Sequence, residues 1–248
     1  MNPGSLIIFV VSLILVIALS YYVDKIIKKR KQERQVRERY ILESQIQIDK
    51  AIDTKDTITL LKYLADPEFR DKVGNAIVEF GESAFDTLIV ELDTPARAIS
   101  PRLLTEVLVH IGPTAIERAK SALHHNNQNI RVSAISALGR IGDSSVVGSL
   151  IPFIDSTNLE EQTSAITSLG ELQVTKVTIL DKIIAKLNHQ DPYVRVAAVQ
   201  ALENISDPRA LPELERLARS DTTYVGHVQT VGHFAVRAID KIRKDKVN

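Results

Sequence analysis

One phrase recurs along this chain of 248 residues. Asp191-Pro-Tyr-Val-Arg195 and Asn127-Gln-Asn-Ile-Arg131 both open an Ala-rich apolar stretch, and weaker copies precede them. In five successive copies the first apolar stretch breaks at a turn, and these turn positions lie 31, 30, 31 and 33 residues apart: Gly81, Gly112, Gly142, Gln173 and Ser206. A repeat of this length is typical of stacked supersecondary units, each of which packs only against its neighbours.

The apolar residues of each copy recur with a helical period. In the copy that begins at Asn127, one stripe runs from Val132 to Ile141, Gly142-Asp143 interrupts it, and a second runs from Val146 to Ile154. Each copy is therefore predicted to be a pair of helices joined by a turn. Because the sequence has no sustained alternating apolar run and no Asn-Gly or Asp-Gly turn, it predicts an all-α fold without strands.

Proline and glycine mark the predicted helix boundaries. A side-chain acceptor followed by proline favours a helix start, since the acceptor can cap the helix and proline suits its first position. Such pairs at the predicted boundaries are Asp66-Pro67, Ser100-Pro101, Asp191-Pro192 and Asp207-Pro208. Gly139 and Gly170 fall one turn before the predicted helix ends, where a glycine lets a neighbouring helix approach closely.

The strongest copy resembles a known family. Its pattern Asp-Pro-x-Val-Arg-x-x-Ala-x-x-Ala-Leu is similar to the HEAT-like repeat of the phycobilisome-lyase type, and is carried by Asp191, Pro192, Val194, Arg195, Ala198, Ala201 and Leu202. Further copies span 66–94, 100–126, 127–157 and 158–190, and a helix around 236–242 has the position of a closing half-repeat. The resemblance implies an α-solenoid of about five helix pairs plus a terminal half-repeat. Repeats of this type serve lyases, chaperones, scaffolds and enzyme-bound regulators, so the resemblance implies a fold more than a function.

The N-terminal region has the pattern of a membrane anchor. Leu6 to Val23 is apolar and uncharged, long enough to cross a bilayer as one transmembrane helix, and Tyr21 and Tyr22 close it. A basic cluster follows: Lys25, Lys28, Lys29, Arg30 and Lys31. By the positive-inside rule, the chain is a single-pass membrane protein with its N-terminus outside and its repeats in the cytoplasm. A cleaved signal peptide ending near Ala18-Leu19-Ser20 is the alternative, although the charge order is the reverse of a signal peptide's.

Residues 25–53 are predicted to continue the membrane helix as a basic helical stalk, because they are rich in Lys, Arg, Glu and Gln. A dimeric coiled coil is the alternative for this segment, which has fewer than three good heptads. The predicted organisation is thus an anchor at 1–24, a stalk at 25–53 and a HEAT-like domain at 54–248. The basic cluster is expected to lie at the membrane surface and to contact anionic lipid of the bilayer.

The sequence offers no catalytic motif. It has no cysteine, nucleophile elbow, His-Glu-x-x-His, phosphate-binding loop or dinucleotide fingerprint. His124-His125 is expected to be a solvated turn, and His227 and His233 lie in an insertion without nearby ligands, so we predict no metal and no cofactor. Residues 51–248 hold 22 basic and 26 acidic side chains, which argues against nucleic-acid binding.

Arg131 and Arg195 occupy equivalent positions near the start of a helix. Their guanidinium groups could bind a partner's carboxylate or phosphate. The structural interpretation is stronger: each arginine, with the preceding Asp or Asn, links neighbouring repeats and caps a helix start. Acidic residues are spread along the repeats without a convergent pair, which argues against paired-carboxylate catalysis.

Two functions of different class remain. The first is a membrane-anchored scaffold, adaptor or assembly factor that binds a partner protein, itself membrane-associated, through the second helices of the repeats. The candidate partner-binding residues are Glu82, Asp86, Arg118, Asp181, Lys182, Lys186, Glu213 and Arg216. The second, implied by the resemblance, is a bilin lyase or bilin-protein chaperone. The membrane anchor and the absence of Trp argue against that alternative.

Overall fold

The computed structural model describes residues 3–94, 100–226 and 229–246, with side chains described from residue 19 onward. Its helices are α1 (Pro3–Asp53), α2 (Thr57–Tyr63), α3 (Arg70–Glu79), α4 (Glu82–Leu92), α5 (Pro101–Ile111), α6 (Ile116–Ala122), α7 (Gln128–Ile141), α8 (Val147–Leu150), α9 (Leu159–Glu171), α10 (Val177–Ala185), α11 (Pro192–Ile205), α12 (Leu211–Ser220) and α13 (Val231–Asp245). Two short strands, β1 (Tyr224–Val225) and β2 (Gln229–Thr230), pair antiparallel. The chain divides into two compact units, Met1–Tyr63 and Leu64–Asn248.

The first unit is dominated by one long helix. Helix α1 has 51 residues, which corresponds to a length of about 76 Å at 1.5 Å per residue. It runs without a break through 25–53, as the sequence predicts. Ile48 and Ala51 near its end are buried, as is Leu60 of α2, which packs against α1. The basic cluster from Lys25 to Lys31 is exposed on the same helix.

The predicted membrane span, Leu6 to Val23, falls mostly on residues whose side chains lie outside those described. Its backbone is part of α1. Over the described part of the chain, no helix combines the length and the apolar character needed to cross a bilayer. The single-pass topology, the signal-peptide alternative and the coiled-coil alternative therefore all stay predictions.

The second unit is a stack of helix pairs. Its pairs are α3/α4, α5/α6, α7/α8, α9/α10 and α11/α12, and α13 follows as a half-pair. The first helices of successive pairs pack on one another from α3 through α13, while α13 also packs against α12. Leu138 of α7 and Leu202 of α11 are fully buried, in equivalent positions of their copies. The predicted solenoid of five helix pairs with a terminal half-repeat is thus confirmed in the described residues.

The turn between the two helices of each pair contains one residue with a positive φ, although ψ differs between the earlier and the later turns. The five turn positions identified from the spacing all have a positive φ, between 48° and 81°: Gly81, Gly112, Gly142, Gln173 and Ser206. A positive φ ends a helix because it turns the chain out of the right-handed helical path. The repeat spacing read from the sequence therefore located the end of each first helix correctly.

Two glycines allow direct contact between successive first helices. A Cβ atom at Gly139 of α7 would lie 2.4 Å from Cβ of Ser168 in α9. A Cβ atom at Gly170 of α9 would lie 2.4 Å from Cα of Ala201 in α11. Neither position can hold a larger side chain without moving a helix, as the sequence predicted for both glycines.

The predicted helix starts are partly right. Asp191 accepts a hydrogen bond from the Tyr193 amide at the start of α11, and Asp207 accepts one from the Arg209 amide at a 3-10 turn that leads into α12. Ser100 precedes α5, but its side chain makes no capping hydrogen bond. The prediction at Asp66-Pro67 was wrong by one turn, since α3 begins at Arg70. Asp66 instead accepts a hydrogen bond from the Glu68 amide, which stabilises a turn there.

The prediction of a fold without strands was wrong at one place. Between α12 and α13, β1 and β2 form a two-stranded hairpin in which Tyr224 pairs with Thr230 and Val225 with Gln229. Its turn contains Gly226, with a φ of 66°. The strands have only two residues each, too short for an alternating pattern to be visible in the sequence.

Candidate functional site

The residues predicted to bind a partner lie on second helices or in the turns beside them. Glu82 and Asp86 are on α4, Arg118 on α6, Asp181 and Lys182 on α10, Lys186 in the 3-10 turn after α10, and Glu213 and Arg216 on α12. Most are exposed, while Arg118, Lys186 and Glu213 are partly buried. They lie in three separate charge clusters and do not converge on a single site.

The first cluster joins α4 and α6. Arg118 Nη1 lies 3.3 Å from Asp86 Oδ1, and Arg118 Nη2 lies 4.0 Å from Glu82 Oε2. The guanidinium carbon of Arg118 also lies 5.3 Å from the centre of the Phe85 ring. Because one arginine contacts two acids and an aromatic ring of the preceding repeat, its head group is held in place while remaining partly accessible.

The second cluster contains an acid that the sequence did not single out. Lys182 and Lys186 lie 2.6 and 2.7 Å from the two carboxylate oxygens of Asp155, which belongs to the preceding repeat. Hydrogen bonds from Lys182 and then from Lys186 lower the pKa of Asp155 below its ordinary range, against a smaller opposing effect of burial. Asp181, next to Lys182 in sequence, is exposed.

The third cluster lies on α12. Arg216 Nε donates to Glu213 Oε2 at 2.8 Å, and its Nη2 donates to Asn188 Oδ1 in the turn before α11. On the same helix, Glu215 accepts a hydrogen bond of 2.7 Å from Arg243 of α13. In all three clusters a charged side chain of one structural element is bound by an adjacent one, so the charges have fixed positions on the surface.

The paired arginines of the repeat motif make equivalent networks. Arg131 Nη1 donates to the carbonyl oxygens of His125 and Asn126, at 2.7 Å each, and its Nε donates to Glu161 of the next repeat at 2.8 Å. Arg195 Nη1 does the same with the carbonyls of His189 and Gln190, at 2.8 and 2.9 Å. Each arginine thus fixes the turn before its own helix. The structural interpretation of both residues is confirmed by these contacts.

Arg195 binds an acid from a different element than Arg131 does. Its Nε donates to Asp221 Oδ2 at 2.7 Å, and Asp221 lies in the segment between α12 and β1. Burial acts to raise the pKa of Asp221, but hydrogen bonds from Arg195 and Thr223 outweigh it, and the pKa lies below its ordinary value. Asp221 is one of the acids that are spread along the repeats, and its pairing with Arg195, 26 residues away, is not visible in the sequence.

An open cleft of 360 Å³ lies beside this network. It is formed by the turn before α11, the first turn of α11, the last turns of α12 and the segment leading into β1. Leu187 and Leu217, both buried, contribute its apolar part. The remaining lining is polar and includes Arg195, Arg216 and Thr223. The cleft therefore brings together one predicted partner-binding residue and one repeat-motif arginine.

The base of the hairpin that borders the cleft is closed by hydrogen bonds between the start of α13 and the segment that follows α12. The Gly232 amide donates to the Asp221 carbonyl oxygen at 3.0 Å, and a Cβ atom at Gly232 would lie 2.7 Å from that oxygen. The Val231 amide donates to the Thr223 carbonyl oxygen at 2.9 Å. Tyr224 is 66% exposed beside them. The segment is therefore anchored at its base and presents an aromatic side chain to solvent.

The histidines show no arrangement for metal binding in the part of the chain that the structure describes, where no group of three or more His, Cys, Asp or Glu residues converges. His124 is exposed, and His125 Nδ1 accepts a hydrogen bond of 3.1 Å from the Asn127 amide. The His233 amide donates to Thr230 Oγ1 at the start of α13. His227 lies outside the described residues.

Comparisons with known proteins agree with this architecture. Residues 149–227 match the family model for HEAT repeats. These findings support a HEAT-like repeat protein. A comparison with curated proteins found no match.

Three solved structures resemble the HEAT-like stack. A chain from the complex of CpcE and CpcF of phycocyanin lyase from Nostoc sp. PCC7120 is 18% identical over 63% of this chain and 98% of its own, with a TM-score of 0.52. An engineered protein is 19% identical over 76% of this chain and 97% of its own, with a TM-score of 0.45. Human deoxyhypusine hydroxylase is 16% identical over 82% and 80%, with a TM-score of 0.42. At these identities the likeness concerns the fold alone.

Proposed function

We propose that this chain is a scaffold or assembly factor that binds a partner protein through the second-helix surface of its HEAT-like repeats and is tethered to a membrane by its N-terminal segment. The observation that carries the proposal is the set of three charge clusters, around Arg118, Asp155 and Arg216. Their head groups are fixed by contacts across adjacent elements yet remain partly exposed. A surface whose charges are already ordered loses less side-chain entropy when a partner binds.

The form of the surface also favours a protein partner. The charges are spread over several repeats, and the cleft at Arg195 is open to solvent. A small-molecule site is usually a concave pocket that encloses most of its ligand. A solenoid instead binds through an extended surface, with affinity distributed along its repeats.

The membrane tether is supported by the uncharged stretch from Leu6 to Val23 and by the exposed basic cluster that follows it, from Lys25 to Lys31. The cluster would lie at the cytoplasmic headgroup layer. Protease added to intact cells or right-side-out vesicles should spare the repeats. Digestion of the repeats from outside, or a mature chain that begins near Tyr21, would contradict this topology.

Crosslinking in native membranes, followed by mass spectrometry, tests the scaffold proposal. The full chain should capture a reproducible partner protein. Charge reversal of Lys182, Lys186 and Arg216 to Glu should weaken that capture, because it inverts the charge of two clusters. Lys182 and Arg216 are exposed, but the Lys186 side chain is only 17% exposed beside Asp155, so circular dichroism must show unchanged helical content before weaker capture is attributed to the surface.

A matched control uses three arginines on the first helices. Arg102, Arg140 and Arg237 also pair with acids, and their reversal to Glu removes a comparable number of surface ion pairs. Capture should survive in this control. Equal loss in both triple variants would show that the second-helix surface is not where the partner binds.

A bilin lyase or bilin-protein chaperone is the second candidate function, favoured by the likeness of the fold to a chain from the phycocyanin lyase complex. Mixing the purified protein with a bilin tests it through the absorbance spectrum. A stoichiometric spectral change would replace the scaffold proposal, whereas an unchanged spectrum would remove this candidate.

A further inference from the structure

The hairpin between α12 and α13 changes the surroundings of one repeat-motif arginine. At Arg131, Nε lies 2.8 Å and Nη2 lies 2.6 Å from the same oxygen of Glu161, so the next repeat covers that edge of the guanidinium. At Arg195, Asp221 takes only the Nε bond. Nη2 of Arg195 donates to Thr223 Oγ1 at 3.3 Å, a long hydrogen bond. The same edge of the guanidinium is thus less fully bonded at Arg195, and both Arg195 and Thr223 line the cleft.

A second guanidinium lines the same cleft. Arg216 uses Nε for Glu213 and Nη2 for Asn188. Among the residues that the structure describes, none accepts a hydrogen bond from Nη1 of Arg216. Its side chain is 46% exposed, whereas that of Arg195 is 12% exposed. The cleft is therefore lined by one accessible guanidinium group, that of Arg216, and by one that is mostly buried and fixed by hydrogen bonds, that of Arg195.

The charges around the cleft limit what it can bind. Asp221 lines it and Glu213 lies beside Arg216, so two carboxylates face two guanidinium groups. Both carboxylates repel any anion, and they repel a phosphate with two negative charges about twice as strongly as an anion with one. A carboxylate carries one charge, and its planar geometry fits the guanidinium fork.

We propose that this cleft binds a carboxylate side chain of an acidic peptide segment. This proposal rests on the proposed scaffold function and adds the chemistry of the partner segment that binds. Arg216 donates through Nη1 to the incoming carboxylate, and Arg195 Nη2 supplies a further donor. Tyr224, exposed on the adjoining strand, is placed to pack against the peptide chain next to that side chain.

The test uses two synthetic peptides of the same length, each with a fluorescent label and capped ends, one with a single Glu and the other with a single Gln in the middle of a Gly-Ser sequence. Fluorescence anisotropy with the full chain should show binding of the Glu peptide and at least about tenfold weaker binding of the Gln peptide, since hydrogen bonds to charged groups are the stronger ones. The Arg216→Gln variant should weaken binding of the Glu peptide about tenfold.

Arg219→Gln is the matched control, because Arg219 is an exposed arginine on the same helix that does not line the cleft. It should bind the Glu peptide as the unchanged protein does. Equal weakening by both substitutions would mean that only net charge matters, and equal binding of the two peptides would mean that no carboxylate is recognised. Either result overturns the proposal, as does failure of the unchanged protein to bind the Glu peptide.

NMR spectra locate the binding without a substitution. Titration of the isotope-labelled protein with the Glu peptide should shift the backbone amide signals of Thr222 and Thr223, while inorganic phosphate at equal ionic strength should leave them in place. Shifts caused by phosphate alone would contradict the choice of a carboxylate. Failure here is distinguishable from failure of the scaffold function: crosslinking that captures a partner equally with Arg216→Gln would refute the cleft and leave the scaffold standing.

Discussion

Gly170→Ala is the substitution whose effect follows most directly from the geometry. The added Cβ atom would lie 2.4 Å from Cα and 2.7 Å from Cβ of Ala201. Non-bonded carbon atoms pack at about 3.5–4.0 Å, so α9 and α11 would have to separate by about 1 Å. The atoms in the way belong mainly to the backbone, so no side-chain rotation can relieve the clash.

The size of the effect is a difference of two terms. Overpacking of a well-packed contact costs about 1–3 kcal/mol, occasionally more, and a backbone clash belongs at the upper end. Replacing glycine by alanine inside a helix raises the free energy of unfolding by about 1 kcal/mol, because alanine has the higher helix propensity. We therefore expect Gly170→Ala to lower the free energy of unfolding by about 2 kcal/mol.

Gly148→Ala is the matched control. Gly148 lies in α8, and an added Cβ atom there would have no heavy atom within 4 Å. This substitution should leave stability unchanged or raise it by up to about 1 kcal/mol. Urea unfolding of the full chain in mild detergent, followed by circular dichroism, should separate the two variants by about 2–3 kcal/mol. If Gly170→Ala is as stable as Gly148→Ala, the helices do not approach as the structure describes.

Three further predictions concern the networks and turns. Arg131→Ala should lower the free energy of unfolding by about 3 kcal/mol, because it leaves the Glu161 carboxylate, 8% exposed, without its cation; urea unfolding measures this, and an effect below about 1 kcal/mol would contradict it. Because the pKa of Asp221 is lowered in the folded protein, its ionised carboxylate stabilises the fold fully above the unfolded pKa of about 4, and this stabilisation is lost as the pH falls from there through the folded pKa. The melting temperature of the unchanged protein should therefore fall more between pH 5 and pH 3 than that of Asp221→Asn, and an equal fall would contradict this. Gly142→Ala should destabilise by about 1 kcal/mol although space is free around it, since its φ of 81° is strained for alanine; an unchanged melting temperature would exclude that strain.

The features that could be predicted from the sequence are those that recur from one copy of the repeat to the next. The turns at Gln173 and Ser206 could be located only because both residues align with glycines of other copies, since neither residue type by itself indicates a positive φ. The close helix contacts at Gly139 and Gly170 followed from their place before a helix end. In each case the comparison between copies indicated the local structure, which the residue type at a single position does not.

The pairing of the candidate site residues could not be predicted in the same way. Which carboxylate meets Lys182, or which meets Arg195, depends on how one helix is placed along the next, and the partners lie 27 and 26 residues away in sequence. The hairpin after α12 interrupts the repeat, so no other copy indicated its structure. The cleft lies beside that hairpin, and the periodicity of the sequence therefore does not predict it.

The glycine contacts also determine where the stack can bend. Helices in direct backbone contact cannot slide along one another without a clash, so α7, α9 and α11 behave as one stiff beam. We therefore expect the repeats to bend mainly in α3 to α6, where no described glycine meets the backbone of a neighbouring helix. A partner that binds both at Arg118 and at the cleft would contact one end that adapts to its shape and one part of the stack whose geometry stays fixed.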